Sequence, residues 1–246
     1  MVAILAFAMA FALNACGDGG DGNSGGSPSS SSSSREYNKG NSSSSSSDDN
    51  EENGSCDISD YKTVEIGAQV WMAENLNCYA SGSKCYNNNP ANCAVYGRLY
   101  DWATAMELPS SCNSASCSGQ VNAKHRGICP SGWHIPSNEE WATLEDYVCS
   151  DKGYGSFPGE HLKSVNGWVR YGGIVSLDSY SFSALPGGLG GSRGNFFNAG
   201  FCGYWWSSSE RRSSNSHYLY MCYDYKDAVR EEGDKGLLYS VRCLED

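Results

Sequence analysis

The sequence predicts an α+β domain, and three observations carry that expectation. Charged residues make up only 18% of the 246-residue chain, while glycines number 29 and aromatics reach 12%. Helical bundles and coiled coils draw instead on Ala, Glu, Lys and Leu. Apolar residues recur at helical spacing in two places, and the C-terminal half alternates Gly, Ser and aromatic residues with short β-prone runs. Such a mixture calls for small sheets and a few helices joined by long loops.

The elements follow in order. Thr63–Ile66 (TVEI) and Gln69–Met72 (QVWM) read as paired strands, and Gly67-Ala68 between them suits a type II′ hairpin. Leu99, Trp102, Ala103 and Met106 form one apolar stripe at i, i+3, i+4 and i+7. Ser137 and Glu140 form an S-x-x-E capping box after Pro136, and Trp141, Leu144 and Val148 continue the buried face of a second helix. Tyr218–Tyr223 and Leu237–Leu244 read as strands of a later meander.

Ahead of this domain, Val2 to Leu13 is an unbroken apolar run of twelve residues. It is shorter than the roughly 20 residues a membrane span needs, and it fits the h-region of a signal peptide. Leu13-Asn14-Ala15-Cys16-Gly17 resembles a bacterial lipobox. That resemblance implies a signal peptide over residues 1–15 and a diacylated Cys16 that anchors the chain to a membrane. Gly17–Ser55, rich in Ser, Gly and Asp, holds too few apolar residues to order itself. A flexible coil of that length spans roughly 35 Å. The expected organisation is signal peptide 1–15, anchored linker 16–55 and domain 56–246; an O-glycosylated stalk suits the linker residues equally.

Charge narrows the partners. The formal net charge is −11. Seven acids against two bases in residues 17–55 leave −5, and 21 acids against 15 bases in residues 56–246 leave −6. No basic stripe is present to meet phosphate, so nucleic acid is not an expected partner.

Within the domain, six blocks resemble the Fibrobacter succinogenes major paralogous domain family: Thr63–Leu76 (TVEIGAQVWMAENL), Tyr96–Met106 (YGRLYDWATAM), Cys129–Trp141 (CPSGWHIPSNEEW), Phe182–Gly188 (FSALPGG), Gly203–Glu210 (GYWWSSSE) and Ser240–Asp246 (SVRCLED). The family is thought to be related to the C-type-lectin-like superfamily, which also holds the formylglycine-generating enzymes. The resemblance therefore implies small twisted antiparallel sheets, two flanking helices and long disulfide-stapled loops. It implies little about chemistry, because fold does not fix function.

Twelve cysteines point to an oxidising compartment. With Cys16 lipidated, eleven remain, so one thiol is expected to be left over. Cys85 and Cys93 flank an Asn-rich loop around Pro90, and Cys56 and Cys78 bracket the N-terminal hairpin. The C-type-lectin resemblance implies a helix-to-last-strand bridge, Cys149–Cys243, and a second bridge, Cys202–Cys222. Cys112, Cys117 and Cys129 stay unassigned.

No catalytic, metal or cofactor site is expected. There is no C-x-x-C, and His125, His134, His161 and His217 are scattered without ligand spacing. Gly190–Gly194 matches G-x-S-x-G, but glycine and asparagine surround it instead of a strand and a helix. Asp224, Asp227, Glu231, Glu232 and Asp234 lack a calcium-loop pattern and read as a solvated stretch. Glu139 and Glu140 suit a helix N-terminus. The aromatics remain as ligand-binding candidates: Trp168, Tyr204, Trp205 and Trp206. Neighbours on a strand face opposite ways, so at most one of Trp205 and Trp206 is expected outside. Trp71, Trp102, Trp133 and Trp141 read as core. The expected whole is a non-catalytic cell-envelope lipoprotein, displayed at the outer membrane or cell surface, that recognises a polysaccharide or a surface protein. A structural coat protein and a formylglycine-generating-type oxidase are the alternatives.

Overall fold

The computed structural model describes residues 56–152 and 157–246. The expected signal peptide, the Cys16 lipid site and the linker lie outside the described residues. Strands β1 (Thr63–Ile66) and β2 (Gln69–Met72) pair antiparallel with Ile66 opposite Gln69. Gly67 turns the chain at φ +63°, and a Cβ there would come within 2.7 Å of the Tyr147 ring. Both the turn and the close approach require glycine.

Helix α1 (Pro90–Tyr96) starts within the Cys85–Cys93 loop and runs past Cys93, opened by an Asn89 cap and a proline in its first turn. The apolar stripe forms a shorter helix than its period suggests. Helix α2 spans only Trp102–Ala105, because the Asp101 carboxylate caps it by accepting from Thr104 N–H at 2.8 Å. Leu99 precedes it in a bridge to Lys84, yet all four stripe residues are buried. Strand β3 (Trp133–His134) leads into helix α3 (Asn138–Lys152). The capping box closes reciprocally: Ser137 N–H donates to Glu140 at 2.8 Å and Glu140 N–H to Ser137 Oγ at 3.1 Å. Helix α4 covers Pro158–Leu162.

The remaining strands are β4 (Gly187–Gly190), β5 (Phe196–Ala199), β6 (Cys202–Arg212), β7 (Asn215–Cys222), β8 (Val229–Asp234) and β9 (Leu244–Glu245). They build a four-stranded sheet ordered β1-β2-β9-β3 and a five-stranded sheet ordered β5-β4-β6-β7-β8. All pairings are antiparallel except β4 with β6. Residues 237–244 were expected as one strand. Most of this run instead threads between elements, Leu238 bridging Gly190, Tyr239 bridging Tyr100 and Ser240 bridging Trp205. Gly190–Gly194 forms the turn of the β4–β5 hairpin, so the G-x-S-x-G match has no helix behind it.

Strand alternation along β6 and β7 feeds two cores. Trp205, Leu219 and Met221 join Trp71, Trp141, Leu144, Val148 and Phe182 on the α3 side. Tyr204, Trp206, Trp102, Tyr239 and Val241 form the other cluster. Because the β6–β7 ribbon is covered on both faces, Trp205 and Trp206 are both fully buried. The expected limit of at most one outward-facing indole is thus met with neither facing out, and neither offers an open surface to a ligand.

Disulfides join Cys56 to Cys78, Cys85 to Cys93, Cys202 to Cys222, Cys112 to Cys117 and Cys129 to Cys243. The implied Cys149–Cys243 bridge is thus corrected. Alternation is the reason: Leu244 points into the core beneath α3, so its neighbour Cys243 points to the opposite cluster, where Cys129 waits. These five bridges account for ten of the eleven cysteines of residues 56–246.

Candidate functional site

Two of the exposed aromatics, Tyr171 and Phe201, lie where the β6–β7 ribbon ends. Cys202 and Cys222 lie directly opposite one another, so the residues just outside them, Phe201 and Tyr223, are brought side by side. Their rings meet edge to face at 5.2 Å, and Tyr223 N–H donates to Phe201 C=O at 2.8 Å. Tyr171 closes on the other side of Tyr223 at 5.4 Å, again edge to face. Its loop is tied down two residues earlier, where Val169 N–H donates to Gly200 C=O at 2.8 Å. Tyr171 is 54% exposed, Phe201 44% and Val169 40%. Two exposed rings, Tyr171 and Phe201, each in contact with Tyr223 and held by a disulfide and two backbone hydrogen bonds, make a preorganised apolar platform.

A buried cation braces this platform from below. Lys163 is 1% exposed, and its ammonium donates to Cys222 C=O at 2.6 Å and to Tyr225 C=O. It also sits 5.3 Å from the centre of the Trp168 ring. Burial pushes its pKa down to about 8, against the pull of Glu160, Asp224 and Asp227. Trp168 is half-buried, and its indole N–H is committed to Ser164 Oγ and Ala184 C=O, each at 3.1 Å. Its ring packs against the core cluster on the α3 side.

Of the four aromatic candidates, then, none forms the open surface. Tyr204 is 9% exposed and stacks on Tyr239 at 5.2 Å, while its hydroxyl accepts from Asn198 at 2.9 Å. Trp205 donates to Asn75 Oδ1 at 2.8 Å, and Trp206 to Tyr100 C=O at 2.7 Å. Buried indoles find such partners, which is why they suit a core. The residues that do form the platform, Phe201 and Tyr223, each adjoin a cysteine in sequence. Pairing the cysteines across two strands would have found them.

A second buried cation organises the centre. The Arg242 guanidinium donates to Asn75 Oδ1 at 2.8 Å, to Ser183 C=O at 3.2 Å and to Phe182 C=O, and lies 4.3 Å from the Phe182 ring centre. Burial lowers its pKa to about 9. Asn75 links this cage to a surface cleft of about 390 Å³ that also involves Asp60, Tyr61, Glu74 and Tyr96. Another cleft, of about 380 Å³, opens beside the start of α3 between Ser137, Glu139, Ser208 and Glu210.

Among the described residues, no group of three or more His, Cys, Asp or Glu side chains could hold a metal ion, and no helix is long and apolar enough to cross a membrane. No curated protein and no solved structure gives a significant match to the chain. One family model does match, that of the Fibrobacter succinogenes major domain, over residues 64–245. Since that span takes in every strand and helix described above except the outer edge of β1, the chain belongs to the Fibrobacter succinogenes major domain family.

Proposed function

We propose that this chain is a non-catalytic, lipid-anchored cell-envelope protein whose domain recognises a glycan through the Tyr171–Phe201–Tyr223 platform. The observation that carries the reading is two exposed rings, Tyr171 and Phe201, locked against a half-buried Tyr223 at a stapled strand end. Pyranose rings present apolar C–H faces that stack on such surfaces, and a fixed platform loses little side-chain entropy on binding. Cys16 would carry the lipid, and residues 17–55 would hold the domain clear of the membrane. We read the domain as C-type-lectin-like, supported by its two small, largely antiparallel sheets and the Cys202–Cys222 bridge. The last strand departs from that pattern, since it is tied to the loop before β3 and not to a helix.

A second reading, a coat protein that associates with its own kind, draws on the further apolar side chains Val165, Val175 and Leu177, which are also exposed. Binding to immobilised neutral polysaccharides separates the two. Glycan retention that is weakened by Tyr171→Ala or Phe201→Ala supports recognition. Concentration-dependent self-association with no retention supports the coat. Metabolic labelling with palmitate, lost in Cys16→Ser, checks the anchor.

A further inference from the structure

We propose that His134, clamped between Glu140 and Asp246, is a pH-operated latch that holds residues 244–246 against strand β3 and helix α3. The imidazole is fully buried, with Nε2 3.0 Å from Glu140 Oε1 and Nδ1 2.8 Å from Asp246 Oδ1. Ionised carboxylates only accept hydrogen bonds, so both contacts require both ring N–H groups, that is, the imidazolium. A neutral ring keeps a single N–H and can serve one partner.

The two partners are not held equally. Glu140 is fixed by the capping box, its second oxygen accepting from Ser137 N–H at 2.8 Å. The Asp246 side chain is 49% exposed, and the residue is otherwise tied by its N–H to Gly132 C=O at 3.0 Å. On losing a proton to solvent, the ring therefore keeps Glu140 and turns a lone pair toward Asp246. That contact becomes repulsive and opens. The strand it holds is slight: β9 has two residues, Leu244 facing Trp71 and His134, and Glu245 facing Trp133.

Glu140 and Asp246 are the charged groups that act on the ring. Burial favours the neutral imidazole, but the hydrogen bonds and charges of Glu140 and Asp246 outweigh it and raise His134 above its ordinary 6.5. Burial likewise favours neutral Glu140, but the His134 and Ser137 hydrogen bonds hold it below its ordinary 4.5. A raised histidine stabilises the fold below its unfolded pKa and loses that contribution as pH rises through the folded one. A lowered glutamate loses its contribution as pH falls. The latch's contribution is thus full between about pH 4.5 and 6.5 and is lost as pH rises through the raised pKa of His134.

The test uses the full chain with labelled histidine, following the His134 ring by NMR and the amides of residues 244–246 by hydrogen exchange, from pH 5 to 9. The expected result is a doubly protonated ring at pH 6, with amide protection, corrected for intrinsic exchange, falling at least tenfold as the ring titrates. In Asp246→Asn, which sits at the surface and spares the core, the protection no longer follows the ring. A ring already neutral at pH 6 overturns the proposal, as does titration without loss of protection in the unmutated chain. An unchanged pH response in Asp246→Asn overturns it too.

Discussion

Phe201 and Tyr223 meet edge to face at 5.2 Å, one residue outside the Cys202–Cys222 bridge on each strand. The bridge fixes their separation, and the Tyr223 N–H to Phe201 C=O bond fixes their register. Tyr171, from a distant loop, completes the cluster. The relationship makes a stabilising device, a cross-strand disulfide, the frame of an exposed aromatic cluster.

The platform depends on the cation beneath it. Lys163→Met keeps the volume but takes the ammonium donor from the Tyr225 carbonyl and leaves the Cys222 carbonyl only the Tyr225 N–H at 3.3 Å. Orphaned buried acceptors cost about 1–3 kcal/mol each, so the midpoint of chemical denaturation falls and amide protection at 223–226 drops. The pH dependence gives a second check. Lys163 titrates at about 8 in the fold against 10.5 when free. The unfolded chain binds more protons in that interval, so stability rises between pH 8 and 10.5. In Lys163→Met that rise is reduced.

Trp206→Ala and Trp205→Ala act on the core and not on a binding face. Each removes a fully buried indole and its hydrogen bond, to Tyr100 or Asn75. Such truncations cost about 3–5 kcal/mol. Urea denaturation should show that loss for both, and folded variants that lose only glycan binding would contradict the assignment.

Much of this was legible in the residues. The hairpin turn at Gly67 and the capping box at Ser137 and Glu140 are local chemistry, and local chemistry is written in consecutive residues. The fate of Trp205 and Trp206 was not, because it depends on what covers each face of β6, and those covers come from α3 and from residues 237–244. The Cys243 partner escaped for a related reason. Which side of a two-residue strand meets the helix is a tertiary fact. The aromatic candidates were drawn from the right neighbourhood, yet the exposed rings lie on the loops at its edge, where Tyr171 is joined by residues far away in sequence.

The disulfides differ in what they contribute. Cys129–Cys243 closes a separation of 114 residues and Cys112–Cys117 one of 5. Loop-closure entropy assigns about 5 kcal/mol to the first and about 2 kcal/mol to the second. The double alanine variant at Cys129 and Cys243 should therefore lower the unfolding free energy more than the one at Cys112 and Cys117. Equal losses would mean that the long bridge joins elements already held together by packing.

The central claim is that the Tyr171–Phe201–Tyr223 platform binds a glycan, and retention on a panel of neutral polysaccharides tests it most directly. The unmutated protein should bind at least one of them. The double variant Tyr171→Ala, Phe201→Ala should bind about tenfold or more weakly, a loss of about 1.4 kcal/mol, with its thermal midpoint close to that of the parent. No retention of the folded parent on any polysaccharide, or equal retention of parent and variant, would contradict the account.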